Sequence, residues 1–263
     1  MSAKVWLAVS MGALILCSGC VLRRMGESSP AQVAIETIAV VDTAPVVKAP
    51  PKDADVLAFD DFNGKMNLKW EILNPDPTHY SLTKKPGALT ITSQVGGFGH
   101  AGTDYKNVFL VDCPTAPAGK DLQVTACVAD FKPVGDWNQV GVVFWNDADN
   151  CLKLDLEWSS RRTLMAIGET KAEWSFQQAY DAPEDTGKIW LRVIKHNDRY
   201  IFLASADGKS FNTCGDKTWG DGNVKKVGVY TKNGPGSQAP EVDASIESFE
   251  VKAVPAPQAI AAP

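Results

Sequence analysis

Three charged residues could do chemistry together, because they alternate along one predicted strand. Lys153, Asp155 and Glu157 occupy every second position of the segment 151–158, CLKLDLEW. Side chains at every second position of a strand point to the same face of its sheet. Two carboxyl groups at this spacing lie near enough to work as a pair, and the lysine places an opposite charge beside them. This polar strand face is therefore the first candidate for a functional site.

The strand that carries these residues is predicted to be the second arm of a β-hairpin. Residues 140–145 are rich in β-branched and aromatic side chains, and residues 146–150, NDADN, have the composition of a turn. The face opposite the charged residues is apolar and carries Leu152, Leu154, Leu156 and Trp158. The hairpin therefore belongs to a sheet that packs one face into a core and leaves the other wet or lining a groove.

The rest of the chain predicts an all-β domain. Of its 263 residues 44% are hydrophobic and 22% are charged, which leaves enough apolar material for one sizeable core. Short strands separated by turns recur from residue 56 to residue 252, and no stretch keeps a helical period. We predict two antiparallel sheets packed face to face as a β-sandwich over residues 56–252.

The first 20 residues resemble the signal peptide of a bacterial lipoprotein. Lys4 precedes an apolar run at 5–16, too short to span a bilayer, and then Cys17-Ser18-Gly19-Cys20. Small residues before a cysteine are similar to a lipobox, which implies a lipid on Cys20 and a membrane anchor. The usual leucine is replaced by Cys17, so an ordinary cleaved signal or an uncleaved anchor stays an alternative.

Two further segments are predicted to lie outside the folded domain. Residues 21–55 are rich in proline and alanine and predict a disordered tether, and residues 253–263 predict a second disordered tail. Val21 after the cysteine resembles lipoproteins sent to the outer membrane. We therefore expect a domain held at the bacterial cell envelope, at the outer membrane where the cell has two membranes.

Charge and cysteine content restrict the partners and the bonding. The net charge of −5 and the lack of a basic stripe argue against nucleic acid, and we expect a monomer. The cysteines beyond the signal are Cys113, Cys127, Cys151 and Cys214. In an exported chain four cysteines allow up to two disulfides in three connectivities, and free buried thiols are the alternative.

An ordered set of short motifs resembles one known type of domain. The motifs are DDF at 60–62, YSL at 80–82, PGAL at 86–89, NVFL at 107–110, GVVF at 141–144, DADN at 147–150, KL at 153–154, WLRV at 190–193, SADG at 205–208, VGVY at 227–230 and SFEV at 248–251. Together they resemble the concanavalin A-like domain at the C-terminus of family 43 β-xylosidases, also seen as the free-standing DUF1349. The resemblance implies a jelly-roll sandwich of the lectin and glucanase type. It brings no catalytic residues with it.

The charged strand is also similar to the catalytic strand of family 16 glucanases, Glu-x-Asp-x-Glu. A retaining glycosidase needs two carboxyl groups about 5–5.5 Å apart, one of them a nucleophile. Lys153 stands at the nucleophile position, so no covalent glycosyl intermediate can form there. A glycoside hydrolase acting through Asp155 and Glu157 stays an alternative, and an envelope structural or adhesion protein without a glycan ligand is a third.

Glycan binding without catalysis is the leading hypothesis. Carbohydrate sites combine aromatic platforms with a few carboxylates and amides that hold hydroxyl groups. We predict that a polysaccharide or glycan contacts Lys153, Asp155 and Glu157, together with Trp145. The register of the hairpin decides whether Trp145 faces the core or the groove. Trp137 and Trp219 lie beside glycines in predicted loops and are expected to be exposed.

No catalytic residue, metal ion or cofactor is assigned from the sequence. Structural calcium is common in domains of this resemblance, and hard oxygen ligands are available at Asp60, Asp61, Asp147, Asp149, Asn150 and Asp243. Turns contain aspartate and asparagine for backbone reasons alone. We favour the turn interpretation for Asp147, Asp149 and Asn150.

Overall fold

The computed structural model of the protein describes residues 53–256. The predicted signal peptide with Cys20 and nearly all of the predicted tether lie outside the described residues, as does the end of the predicted tail. Within residues 53–256, no helix is long and apolar enough to cross a membrane. Helical structure in this part of the chain amounts to two short 3-10 turns, Pro77–His79 and Gly99–Ala101.

The described residues form fifteen strands. The first seven are β1 (Val56–Asp60), β2 (Glu71–Leu73), β3 (Tyr80–Ser81), β4 (Leu89–Thr92), β5 (Val108–Asp112), β6 (Lys120–Ala129) and β7 (Gln139–Asp147). The others are β8 (Asn150–Trp158), β9 (Arg162–Thr170), β10 (Glu173–Asp181), β11 (Lys188–His196), β12 (Arg199–Ser205), β13 (Asn212–Thr218), β14 (Lys226–Lys232) and β15 (Asp243–Pro255). The last strand runs three residues beyond the predicted end of the domain.

These strands pair into two antiparallel sheets, which confirms the predicted all-β, two-sheet sandwich. Sheet A has the order β13-β12-β11-β6-β15-β4-β3, with β1 also paired to β15. Sheet B has the order β10-β9-β8-β7-β14-β5-β2. The predicted hairpin is β7–β8, in the middle of sheet B, and it joins the two halves of that sheet.

The main core fills the space between the sheets. Leu152, Leu154 and Leu156 of β8 all point into it and are essentially inaccessible to solvent. The opposing sheet contributes alternate residues of its own central strands, among them Val124 and Leu191. Burial of apolar surface on this scale is the main stabilising term of a sandwich. The alternation predicted for β8 is therefore confirmed, although Trp158, at the end of the strand, is only half-buried.

The hairpin has the register that its turn chemistry suggests. The Asp147 carboxylate accepts hydrogen bonds from Asp149 N at 3.0 Å and Asn150 Nδ2 at 2.7 Å, an arrangement typical of an aspartate in a turn. Trp145 then pairs with Cys151 across the hairpin, and Gly141 pairs with Asp155. Trp145 consequently shares the face of the charged residues and not the face of the main core.

Three features of the fold differ from the predictions made from the sequence or were not among them. Trp219 is 3% exposed and packs in the main core, where its indole N–H donates to Glu169 O at 2.8 Å, so the expected exposure is wrong. The edge strands β2 and β13 were not predicted. The segment 96–102, which lies outside the strands, packs against sheet B and buries Phe98.

Within residues 53–256 the structure gives three of the cysteines as free thiols. Cys113, Cys151 and Cys214 are free. Cys127 Sγ donates to Glu247 Oε2 at 3.8 Å. Burial raises the pKa of Cys113 to about 11, so its thiol is a weak nucleophile at neutral pH.

Candidate functional site

Five charged residues lie together on the outer face of sheet B, the face turned away from the main core. This charged cluster comprises Lys153, Asp155 and Glu157 of β8, Glu169 of β9 and Lys232 of β14. Each is at most 4% exposed. Charged side chains are rarely buried so completely unless they are paired. Such burial requires other residues that cover the cluster and partners that neutralise its charges.

Asp155 is the centre of the hydrogen bonding in this cluster. Tyr230 donates its hydroxyl to Asp155 Oδ2 at 2.6 Å, and Lys153 Nζ lies 3.1 Å from the same oxygen. Lys153 also donates to Gln139 Oε1 at 2.8 Å. Burial alone would lower the pKa of Lys153, but the Asp155 and Glu157 carboxylates outweigh it and raise that pKa. Lys153 is therefore a cation at neutral pH and is fixed in place by two partners.

Gly141 makes this arrangement possible. A Cβ atom at this position would lie 2.6 Å from Asp155 Cβ and 2.5 Å from Leu154 O. Residue 141 stands between Tyr230 and Asp155 in the pairing of the strands. The missing side chain therefore lets the tyrosine hydroxyl reach the carboxylate across an intervening strand.

Glu157 and Lys232 titrate close to neutral pH. Burial, with a second contribution from the Asp155 carboxylate, raises the pKa of Glu157 to about 7. Burial, with a second contribution from the Lys153 ammonium group, lowers the pKa of Lys232 to about 7. Glu157 has no hydrogen-bond partner within residues 53–256, whereas Lys232 donates to Gly96 O at 3.2 Å. The Glu157 carboxyl group is thus available to a ligand.

The segment 94–105, here called the covering loop, closes over one part of the cluster. Lys232 holds it at Gly96 O, and His100 N donates to Glu169 Oε2 at 2.8 Å. Gly99 has a positive φ of 43°, and a Cβ there would lie 2.1 Å from Glu169 Oε2, so glycine permits the close approach. Burial raises the pKa of Glu169, although the bond from His100 opposes that shift.

A cavity of about 440 Å³ opens over the uncovered part of the cluster. Its lining comprises Phe98, His100, Ala101, Trp137, Gln139, Lys153, Glu157, Ile167, Glu169, Trp174, Gln177, Lys232, Gly234 and Pro235. The volume is within the usual range of small-molecule sites. Trp137 and Trp174 are 45% and 48% exposed, although large apolar side chains at a surface normally have a reason to be there. The cavity therefore combines a buried polar floor with two exposed aromatic walls.

The structure distributes the four predicted ligand-binding residues over two environments. Lys153 and Glu157 line the cavity. Asp155 is 0% exposed and lies beneath it, where it holds Lys153 and Tyr230. Trp145 is buried under the covering loop, with its ring 5.3 Å from that of Phe98, and packs there without lining the cavity. Ligand contact by any of the four stays a prediction.

Other lining residues were not predicted from the sequence. Lys232 follows Tyr230 by two positions on a strand whose alternate residues are valines, so the alternation could have placed both on the polar face. Glu169 could have been placed in the same way from β9. Trp174 lies on an edge strand on which only Phe176 and Tyr180 are partly buried, and no local pattern signals its position.

Most of the candidate calcium ligands have other partners. The Asp60 carboxylate accepts hydrogen bonds from Asn67 N at 2.7 Å and from the Trp70 indole at 2.8 Å, and it also accepts bonds from two more backbone amides. Asp147 is occupied in the hairpin turn. In the described part of the chain, no group of three or more His, Cys, Asp or Glu side chains is arranged to hold a metal ion.

Residues 59–231 match the family profile of the β-xylosidase C-terminal concanavalin A-like domain. No curated protein matches the chain at a significant level. The match covers β1 to β14 almost completely, and it therefore includes every residue of the charged cluster except Lys232.

Solved structures show the same fold at low sequence identity. The GH43 protein BlXynB of Bacillus licheniformis is 21% identical, with a TM-score of 0.63 over 81% of this chain and 41% of that one. The xyloglucan PUL GH43B of Bacteroides ovatus is 21% identical, with a TM-score of 0.61 over 80% of this chain and 42% of that one. The chain thus spans about two fifths of the length of these proteins. A β-glucanase of Bacillus licheniformis is 11% identical, with a TM-score of 0.52 over 74% of this chain and 97% of that one.

Proposed function

Because the chain belongs to the family of β-xylosidase C-terminal concanavalin A-like domains, we propose that it is a non-catalytic glycan-binding domain. Its ligand occupies the cavity on the outer face of sheet B. The two tryptophans contact the apolar faces of sugar rings, while Glu157, Gln139 and Lys153 bind hydroxyl groups. The lipobox-like sequence at Cys20 supports the further proposal that a lipid anchor holds this domain at the cell envelope.

One observation carries the proposal: Trp137 and Trp174 stand half-exposed beside the same cavity, above a floor of buried hydrogen-bonding groups. Aromatic side chains at the rim of a concave polar site are the usual means of binding sugars, because each ring presents an apolar face to the C–H groups of the sugar. An unpaired buried carboxyl group is costly without a ligand. Glu157 makes no hydrogen bond within residues 53–256 and lines the cavity, so its carboxyl group can accept or donate a bond to a ligand there.

The geometry favours binding over hydrolysis. Asp155 is inaccessible, and its Oδ2 atom is occupied by Tyr230 and Lys153, so it is poorly placed to attack a sugar or activate a water. The other carboxylate of the cavity is Glu169. Glu157 pairs with Thr163, six residues before Glu169 on β9. At about 3.3 Å per residue their backbones are about 20 Å apart, well beyond the carboxyl spacing of glycosidases.

The test is affinity electrophoresis of the purified protein through gels containing xylan, β-glucan or pectin. We expect one polymer to retard the wild type, and Trp137→Ala or Trp174→Ala to weaken retardation about tenfold, the effect of losing one stacking contact of ~1.4 kcal/mol. Trp190→Ala, on the outer face of sheet A, is the matched control and should migrate like the wild type. Retardation by no polymer together with no binding of short oligosaccharides, or equal retardation of all variants, would contradict the proposal.

Release of reducing sugar distinguishes the hydrolase alternative. The wild type and Glu157→Gln are incubated with the polymer that retards the protein. We expect no release by either. Release by the wild type that the substitution abolishes would replace the binding function by catalysis.

A further inference from the structure

The outer face of sheet B is divided into a filled part and an open part. The filled part covers β7, β14 and β5, where a second apolar cluster forms around Phe98. Its ring lies 5.0 Å from that of Tyr230 and 5.3 Å from those of Trp145 and Tyr105, in edge-to-face contacts. Val108 and Leu110 of β5 lie in the same cluster and are fully buried. A ligand therefore cannot cross this half of the face.

The covering loop also seals the cavity at the end of β14. Val95 forms a parallel bridge with Asn233, and Asn233 N donates to Gln94 O at 2.8 Å. Lys232 Nζ donates to Gly96 O one position further along the loop. Three successive residues of the loop are therefore fastened along the end of the strand and form a wall. A charged side chain and backbone hydrogen bonds hold that wall, so it is part of the folded structure.

Two more contacts narrow the cavity on its other sides. Trp137 packs over Gly234, where a Cβ would lie 2.8 Å from the tryptophan ring. The His100 ring lies 4.4 Å from the Trp174 ring, and this contact joins the covering loop to the edge strand β10. Gln177 of β10 lines the remaining side of the cavity. The cavity is thus walled by the Phe98 cluster and the covering loop on one side and flanked by Trp137 and Trp174, and its remaining side faces β10.

We infer that the cavity binds the end of a glycan chain and not a stretch of its interior. The inference rests on the proposed function and specifies the class of ligand. A chain bound through its interior must enter and leave, which requires a groove open at both ends. Here the inner end is closed by the Phe98 cluster and by the loop wall, so a sugar that reaches Glu157 has to be terminal. Recognition is therefore confined to the last two or three residues of the chain.

The test is isothermal titration calorimetry of the purified protein with xylo-oligosaccharides and cello-oligosaccharides of two to six units. For the sugar that binds, we expect the affinity per mole of chain to stop rising after the second or third unit. Two modified hexamers then locate the bound end, one reduced at its reducing end and one carrying a 4-O-methyl group at its non-reducing end. One of the two should bind about tenfold more weakly than the unmodified hexamer.

A binding constant that keeps rising to six units, with neither modification having an effect, would overturn the inference and leave glycan binding standing. Retardation by a polymer without binding of any oligosaccharide would overturn this inference alone. Binding of no probe together with no retardation by any polymer would overturn the proposed function and this inference with it. Phe98→Ala gives a second readout, because it opens the inner end. If this variant keeps its fold by circular dichroism, the modified hexamer should regain affinity; if it unfolds, Tyr105→Ala, on the partly exposed flank of the same cluster, replaces it.

Discussion

Glu157 and Lys232 are an unusual pair of residues, since each is almost fully buried and each has a pKa near 7. Burial disfavours the charged form of both, which raises the pKa of the acid and lowers that of the base. The burial of these two groups therefore makes an unfavourable contribution to the stability of the folded protein. Such perturbed groups concentrate at functional sites, which is consistent with a ligand position directly above them.

Glu157 predicts a specific dependence of stability on pH. Its pKa is about 7 in the folded protein and 4.5 as its ordinary value, so the folded state holds the proton more tightly and the free energy of unfolding falls as the pH rises through this interval. Glu157→Gln removes the titrating group, and with it this fall in the free energy of unfolding. We expect the variant to be more stable than the wild type above pH 7, by up to ~3 kcal/mol, and about equal to it below pH 4.5.

Urea unfolding of both proteins at about pH 4 and about pH 8 measures this effect. Lys232 is present in both proteins, but loss of the Glu157 carboxylate lowers the pKa of Lys232 further, which subtracts from the expected difference at about pH 8. Glu173→Gln, an exposed glutamate on β10, is the control and should change stability little at either pH. A stability difference between wild type and Glu157→Gln that is the same at both pH values would refute the assignment.

For single residues, the sequence predicts which face of a strand a side chain occupies but not whether that side chain is buried. Lys153, Asp155 and Glu157 could be placed on one face because alternation is a local property of a strand. Their burial could not be predicted, because the burial of the charged cluster depends on contacts distant in sequence, among them Tyr230 against Asp155 and the covering loop against Glu169 and Lys232. The same loop decides the environment of Trp145.

At the scale of elements, the covering loop acts as a structural part of sheet B. Phe98 is its anchor and is 1% exposed, although it lies between glycines in a segment with no strand pattern. Its neighbours Gly97 and Gly99 allow a tight path that bulkier residues would block. Fixing the backbone of the loop costs conformational entropy. The burial of Phe98 and the hydrogen bonds to two members of the charged cluster offset that cost.

Phe98→Ala should therefore weaken the whole sandwich and not the loop alone. We expect a loss of about 3 kcal/mol or more in the free energy of unfolding, the usual effect of truncating a buried phenylalanine. Trp145 should also become accessible to a fluorescence quencher such as acrylamide. Val95→Ala, at an exposed position of the same loop, should stay within about 0.5 kcal/mol of the wild type. Full stability of Phe98→Ala would show that the loop is not anchored there.

The hairpin β7–β8 could be predicted to within a residue or two, while the edge strands β2 and β13 could not. The hairpin combines β-branched residues, strict alternation and a turn rich in Asp and Asn, all within 20 residues. In contrast, β13 reads NTCGDKT and has no apolar alternation, because it lies at an edge and buries little. Trp219 was misjudged for a related reason: its burial depends on Glu169 and Tyr200, which are distant in sequence.

At the scale of the whole molecule, the proposed lipid anchor depends on one residue. Cys20→Ser should abolish incorporation of labelled palmitate and shift the protein from the detergent phase to the aqueous phase in Triton X-114 partitioning. Cys17→Ser is a matched control, since it changes a cysteine within the same motif without removing the proposed acceptor, and it should keep the label. Labelling of Cys20→Ser, or no labelling of the wild type, would contradict the proposal.

The pairing of β1 with β15 has a consequence for how the domain could be connected to other chains. Val56 lies opposite Lys252, and the Asp53 carboxylate forms an ion pair with the Lys252 ammonium group, so the outermost strands in sequence are neighbours in space. A short linker could join them, and the chain could be reopened at the exposed turn 206–209, without changing the neighbours of any strand. Because its first and last strands are neighbours, the sandwich is also suited to insertion as a whole domain into a surface turn of another protein.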